Sequence, residues 1–66
     1  MKILVTADRT PSHELNFKGE TIQDLASLLK INHETVIIKK NGEITHPHSK
    51  LSEGDKVEFV GIIYGG

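Results

Sequence analysis

One stretch of this 66-residue chain carries apolar residues at helical spacing, and it stands between runs that alternate. In "TIQDLASLL", residues 21–29, Ile22, Leu25, Ala26 and Leu29 form one stripe, while Gln23, Asp24 and Ser27 face away from it. Thr21 is a natural N-cap, and Asp24 stands three residues on, where a capping box places its acid. Asp24 also suits the positive end of the helix and Lys30 the negative end. A lone amphipathic helix cannot bury its own stripe. A sheet has to cover it, and the flanking sequence supplies the strands.

"MKILVTA" reads as a strand with Ile3, Val5 and Ala7 on one face. "DRTPS" has turn chemistry in Asp8, Pro11 and Ser12. "HELNFKG" alternates, with Leu15 and Phe17 on one side and Glu14, Asn16 and Lys18 on the other, so the first two strands form a hairpin. In "ETVIIKKNGEIT", Asn41-Gly42 offers the two positive-φ positions of a type I′ turn, between a β-rich run and Glu43-Ile44-Thr45. Lys39 and Lys40, just before that turn, read as a solvated strand edge that discourages pairing with other chains. "HPHSKLSEGD" is irregular, with Pro47 blocking a central strand and Gly54 marking a tight turn.

"KVEFVGIIYGG" supplies the last strand. The order strand, strand, helix, strand, short strand, strand predicts a two-layer α+β domain. A mixed sheet of four to five strands packs on one helix, with the first and last strands parallel at its centre. That arrangement is a β-grasp. Its expected core is Ile3, Val5, Leu15, Phe17, Ile22, Leu25, Leu29, Val36, Ile38, Val57 and Phe59. No repeat or linker divides residues 1–66, which read as a single domain ending in a flexible Gly65-Gly66 tail.

Composition narrows the function. With no cysteine, the chain has no disulfide, thiolate metal site or sulfur nucleophile of its own. Eight basic against nine acidic side chains give a net charge of −1, without the basic excess that direct nucleic-acid binding favours. No apolar run approaches the ~20 residues of a membrane span. "MKILVTADRT" reaches Asp8 before a signal-peptide core could form, so the expected location is cytoplasmic. His46 and His48 form an H-x-H pair, with His13 and His33 elsewhere; in a proline-containing loop such a pair reads as solvated, and no metal site is expected. Asp8, Glu53 and Asp55 are explained by turns. Neither "GETIQDL" nor "EGDKV" has the spacing of a phosphate-binding loop. The chain therefore reads as no enzyme.

What remains is the end of the chain. In the last strand Val57, Phe59 and Gly61 share one face and Glu58, Val60 and Ile62 the other. Glu58 belongs in water, which puts Val60 and Ile62 on the open face of the sheet. A patch there, with Ile63 and Tyr64 beyond it, is the expected partner-binding surface. Gly65 and Gly66 give a tail without Cβ atoms, able to extend through a narrow channel. A carboxylate on Gly66 is a poor electrophile that nothing in this chain could activate. A partner enzyme could, by letting it attack the α-phosphate of ATP; AMP then leaves in favour of a sulfur or amine nucleophile.

"VIIKKNGEI" ahead of a "LSEGDKVEF" turn and strand, followed by "YGG", resembles the ThiS/MoaD-type sulfur carriers, relatives of ubiquitin, over essentially the whole chain. The resemblance implies a ubiquitin-like β-grasp and a thiocarboxylate on Gly66. It also implies an adenylating enzyme of the ubiquitin-activating type, using ATP and magnesium that this chain does not itself bind. A persulfide sulfur donor and an acceptor synthase complete the set of partners. The acceptor would be the thiamin thiazole, molybdopterin or a thiolated tRNA base, and the short chain and "NGE" hairpin are nearer to the thiamin branch. The alternative is a protein modifier joined to lysines through the same glycine. A weaker third reading is an interaction module whose tail has no role.

Overall fold

The computed structural model describes residues 1–7 and 10–61. β1 (Lys2–Ala7) and β2 (Thr10–Asn16) form a hairpin, and α1 (Ile22–Leu28) follows. A 3-10 turn (His33–Thr35) then leads into β3 (Val36–Lys40), β4 (Glu43–Thr45) and β5 (Lys56–Gly61). The strands lie in the order β2-β1-β5-β3-β4. β1 and β5 run parallel, with Val5 opposite Val57 and Ala7 opposite Phe59, while the other neighbours are antiparallel. This is the α+β β-grasp expected from the order of the elements.

Every amide at the start of α1 has a partner. Thr21 caps the helix: its Oγ1 accepts from Asp24 N at 3.3 Å, and Asp24 Oδ2 accepts from the amides of Glu20 and Thr21, both at 3.2 Å. Ile22 N donates to Ser49 O and Gln23 N to Pro47 O, while Leu51 N donates back to Glu20 O. The irregular segment after β4 thus works as a strap over the helix N-terminus, satisfying donors that a helix leaves orphaned. The amide of Glu20 first, then that of Thr21, and to a smaller extent the Thr21 hydroxyl hold the Asp24 carboxyl below its ordinary 3.8, against a smaller desolvation that raises it.

The C-terminus closes differently from expectation. α1 ends at Leu28 with Leu29 as its cap, so Lys30 lies beyond the last turn rather than in it. Lys30 adopts φ 59°, its amide donates to Ser27 O at 3.2 Å, and Ile31 N donates to Ala26 O at 2.8 Å. These are the two bonds of a Schellman motif, with lysine where glycine is usual.

Ile3, Val5, Phe17, Ile22, Leu25, Ile38, Val57 and Phe59 are buried as expected. Leu15, Leu29 and Val36 pack only partly buried against that core. Ala26 and Leu51 join the core instead. Leu51 carries no periodic signal, because the strap rather than a helix or strand delivers it. Gly19 marks a close approach: a Cβ there would run into the Phe17 ring and come within 2.9 Å of Asp24 Cβ.

Two further expectations need correction. Thr10 to Ser12 belong to β2 and not to a turn; Pro11 is tolerated because β2 is an edge strand, and a register shift lies between Val5 and Ala7. Lys39 and Lys40 are not on a sheet edge, since β3 lies between β5 and β4. Lys40 Nζ instead donates to Ser49 Oγ at 3.0 Å and Lys50 O at 3.1 Å, tying β3 to the strap. The Asn41-Gly42 turn has the expected positive φ at both residues, 53° and 87°.

Lys30→Gly is expected to raise stability by about 1 kcal/mol, because a left-handed φ strains every residue with a Cβ. An unchanged or lower midpoint in urea denaturation would contradict this. Asp24→Asn tests the cap through pH. A depressed carboxyl contributes stability that is present above its unfolded value and lost as pH falls through the folded value. The variant should therefore melt below the parent at neutral pH, the gap should begin to close as pH falls to the ordinary 3.8, and the two should converge only below the lowered folded value. Parallel melting curves from neutral to acid pH would show that the charge contributes nothing.

Candidate partner-binding face

Alternation along the central strands assigns the two faces of the sheet. β5 sends Val57 and Phe59 to the core and Glu58 and Val60 to the open side. Opposite them on β3, Ile37 pairs with Val60 and Lys39 with Glu58, and Lys39 also stands across from Ile44 on β4. On the β1 side, Thr6 stands across from Glu58 and Leu4 across from Lys56. The open face therefore carries an apolar pair, Ile37 and Val60, next to an acid–base pair, Glu58 and Lys39, with Ile44 beyond.

Exposure marks which of these a partner could reach. Val60 is 36% exposed, Ile37 39% and Ile44 73%. Glu58, Lys39, Leu4 and Thr6 are half-buried. Thr6 and Ser12 share a hydroxyl hydrogen bond of 2.7 Å, which closes the face toward β2. Ile37 and Val60, matched across β3 and β5, form an exposed apolar pair that water covers poorly, and Ile44 adds a second exposed apolar side chain across from Lys39.

Val60 lies on the open face, as alternation requires. Ile62, Ile63, Tyr64, Gly65 and Gly66 lie outside the described residues. Sequence reasoning missed Ile37 and Ile44. A signal for Ile37 existed: in "VIIKK" two adjacent isoleucines cannot both face the core. Ile44 becomes part of the face only through the β3–β4 register. On the core side, Ala7, Ile31, Val36, Phe59 and Gly61 line a shallow groove at the end of β5.

His46 and His48 are both exposed on the strap, with ring centroids 6.2 Å apart. Among the described residues no three His, Cys, Asp or Glu side chains converge as a metal site would need. No helix among them is long and apolar enough to cross a membrane.

Known proteins share this architecture. A chain in the complex of subunits 1 and 2 of molybdopterin-converting factor from Helicobacter pylori 26695 superposes with a TM-score of 0.71 at 16% identity, covering 100% of both chains. The thiamine biosynthesis protein ThiS from Geobacter metallireducens gives 0.65 at 25% identity, covering 96% of this chain and 99% of that one. A ubiquitin-like protein from the hyperthermophilic archaeon Caldiarchaeum subterraneum gives 0.64 at 17% identity, covering 98% and 100%. No curated protein matches the sequence. The model of the ThiS family matches residues 4–66, and the chain belongs to that family of ubiquitin-like, β-grasp sulfur carriers.

Proposed function

We propose that this chain carries sulfur as a thiocarboxylate on Gly66, loaded by an adenylating enzyme of the ubiquitin-activating type. The observation that carries the reading is the family match, which runs through Gly65 and Gly66. The likeness to a thiamine biosynthesis protein at 25% identity favours the thiazole of thiamin as the acceptor. The likeness to a molybdopterin-converting factor subunit, itself in a complex with a second subunit, supports a protein partner at the transfer step.

The chemistry divides between the two proteins. A Gly66 carboxylate oxygen attacks the α-phosphorus of magnesium-bound ATP, and pyrophosphate leaves. The carboxyl carbon, now in a mixed anhydride, accepts the outer sulfur of a persulfide while AMP leaves. A second thiol then cleaves the sulfur–sulfur bond, releasing the thiocarboxylate and forming a disulfide. This chain contributes the carried group and a surface to hold it by. Val60, with Ile62 and Ile63 following it, is the proposed contact, and Tyr64 and Gly65 lead Gly66 into the enzyme. The reading places the chain in the cytoplasm with its ATP-using partner.

Two experiments test this reading. Deleting Gly66 shortens an extended tail by ~3.5 Å, and adding a residue lengthens it equally. A misplacement of even ~1 Å can cost about 100-fold in rate. Both variants should bind the adenylating enzyme yet lose ATP–pyrophosphate exchange. Turnover at the parent's rate by either one would remove Gly66 from the reaction. Intact mass of protein from its native host then separates the fates: replacement of one oxygen by sulfur marks a carrier, and a ladder of conjugates marks a modifier.

Val60→Asp should leave the unfolding midpoint nearly unchanged, since the side chain is 36% exposed, while weakening enzyme binding by about 2 kcal/mol or more. Unchanged affinity by calorimetry would move the contact to another surface.

A further inference from the structure

We infer that Asn41 is a latent site of spontaneous deamidation, held in check by the fold through Asp55 and the start of β5. Of the three asparagines, Asn16 precedes Phe17 and Asn32 precedes His33, whereas Asn41 precedes Gly42. Ring closure at asparagine is limited by the bulk of the next residue, and glycine has none. Gly42 also stands in the open: a Cβ on it would meet nothing within 4 Å. Asn41 is itself exposed, so solvent base reaches the turn.

The reaction needs only water. The Gly42 amide nitrogen loses its proton to solvent base and attacks Asn41 Cγ. A Cγ–N bond forms, the Cγ–Nδ2 bond breaks, and ammonia leaves with a proton from solvent. Water then opens the resulting succinimide at either carbonyl, giving aspartate, or isoaspartate with the backbone rerouted through the side chain. No electron changes hands.

In the folded chain the Asn41 amide is committed at both ends. Nδ2 donates to Asp55 Oδ1 at 3.0 Å, and Oδ1 accepts from Lys56 N at 2.9 Å. The backbone adds a third tie, Asn41 N to Lys56 O at 2.7 Å. Asp55 is in turn fixed by the Ser52 amide, which donates to its Oδ2 at 2.8 Å. Turning Cγ onto the Gly42 nitrogen breaks both side-chain bonds. The same cradle makes the product unwelcome. Aspartate at position 41 replaces a donor to Asp55 by a second carboxylate, and isoaspartate adds a backbone atom to a two-residue turn. Conversion therefore happens when the turn opens and then hinders its closing.

The test follows conversion of the full chain at mildly alkaline pH by intact mass and peptide mapping. The parent in native buffer is compared with the parent in unfolding urea and with Asp55→Ala. Asn41 should convert about tenfold or more faster in urea than in native buffer, as expected when bonds to a charged acceptor no longer hold it. Asp55→Ala should fall between them while its circular dichroism remains native. Asn41→Asp should lower the melting temperature. Equal rates in native buffer and urea would overturn the cradle. So would conversion led by Asn16 or Asn32, or an Asn41→Asp variant as stable as the parent. Should Asp55→Ala unfold, the parent's two arms and Asn41→Asp still decide the matter.

Discussion

The parallel pairing of β1 with β5 is the constraint from which the rest of this fold follows. The two strands lie near opposite ends of the chain, yet Leu4 stands beside Lys56 and Ala7 beside Phe59. Parallel neighbours cannot be joined by a tight turn, so everything between them must cross over the sheet or extend it. α1 makes the crossing, with its buried stripe of Ile22, Leu25 and Ala26 laid on Val5, Val57 and their neighbours. The β1–β2 and β3–β4 hairpins lie on either side of β5, which puts β2 and β4 at the edges. Pairing over such sequence separation carries a loop-closure cost that local contacts do not. The strap offsets part of that cost by fastening α1 to the segment before β5.

Local chemistry explains which parts of this were legible. The helix start could be read from Thr21 and Asp24 because a capping box is a short-range device, complete within four residues. The Asn41-Gly42 turn was legible for the same reason. Lys40 was misread because its neighbours in sequence say nothing about β5, which arrives from the far end of the chain and inserts beside β3. The strap was invisible because it satisfies the helix amides through the backbone carbonyls of Pro47 and Ser49, and any residue supplies a carbonyl; Leu51 was invisible because the strap that delivers it has no period. The Schellman end at Lys30 lacks the glycine that normally announces it.

The candidate site divides in the same way. Val60 followed from alternation once Glu58 was assigned to water. Ile37 and Ile44 are brought to it only by cross-strand register, which no single strand encodes. The role proposed for Gly66 has no local physical signature beyond an unhindered carboxylate, and the proposal rests on the family to which the chain belongs.

β5 unites these two kinds of information. It is the central strand, held by β1 on one side and β3 on the other, and its residues divide evenly between the core and the open face. Val57 and Phe59 anchor it with almost no exposure, while Val60 on the same strand faces outward. A strand fixed on both edges cannot swing independently of the sheet. On the proposed reading, a partner that grips Ile37, Val60 and Ile44 therefore also fixes where β5 stands up to Gly61. In the proposed function the domain contributes a rigid handle whose contacts, Ile37 on β3, Val60 on β5 and Ile44 on β4, are held in register by one sheet, so that binding energy spent on the open face becomes positional accuracy for the carried group.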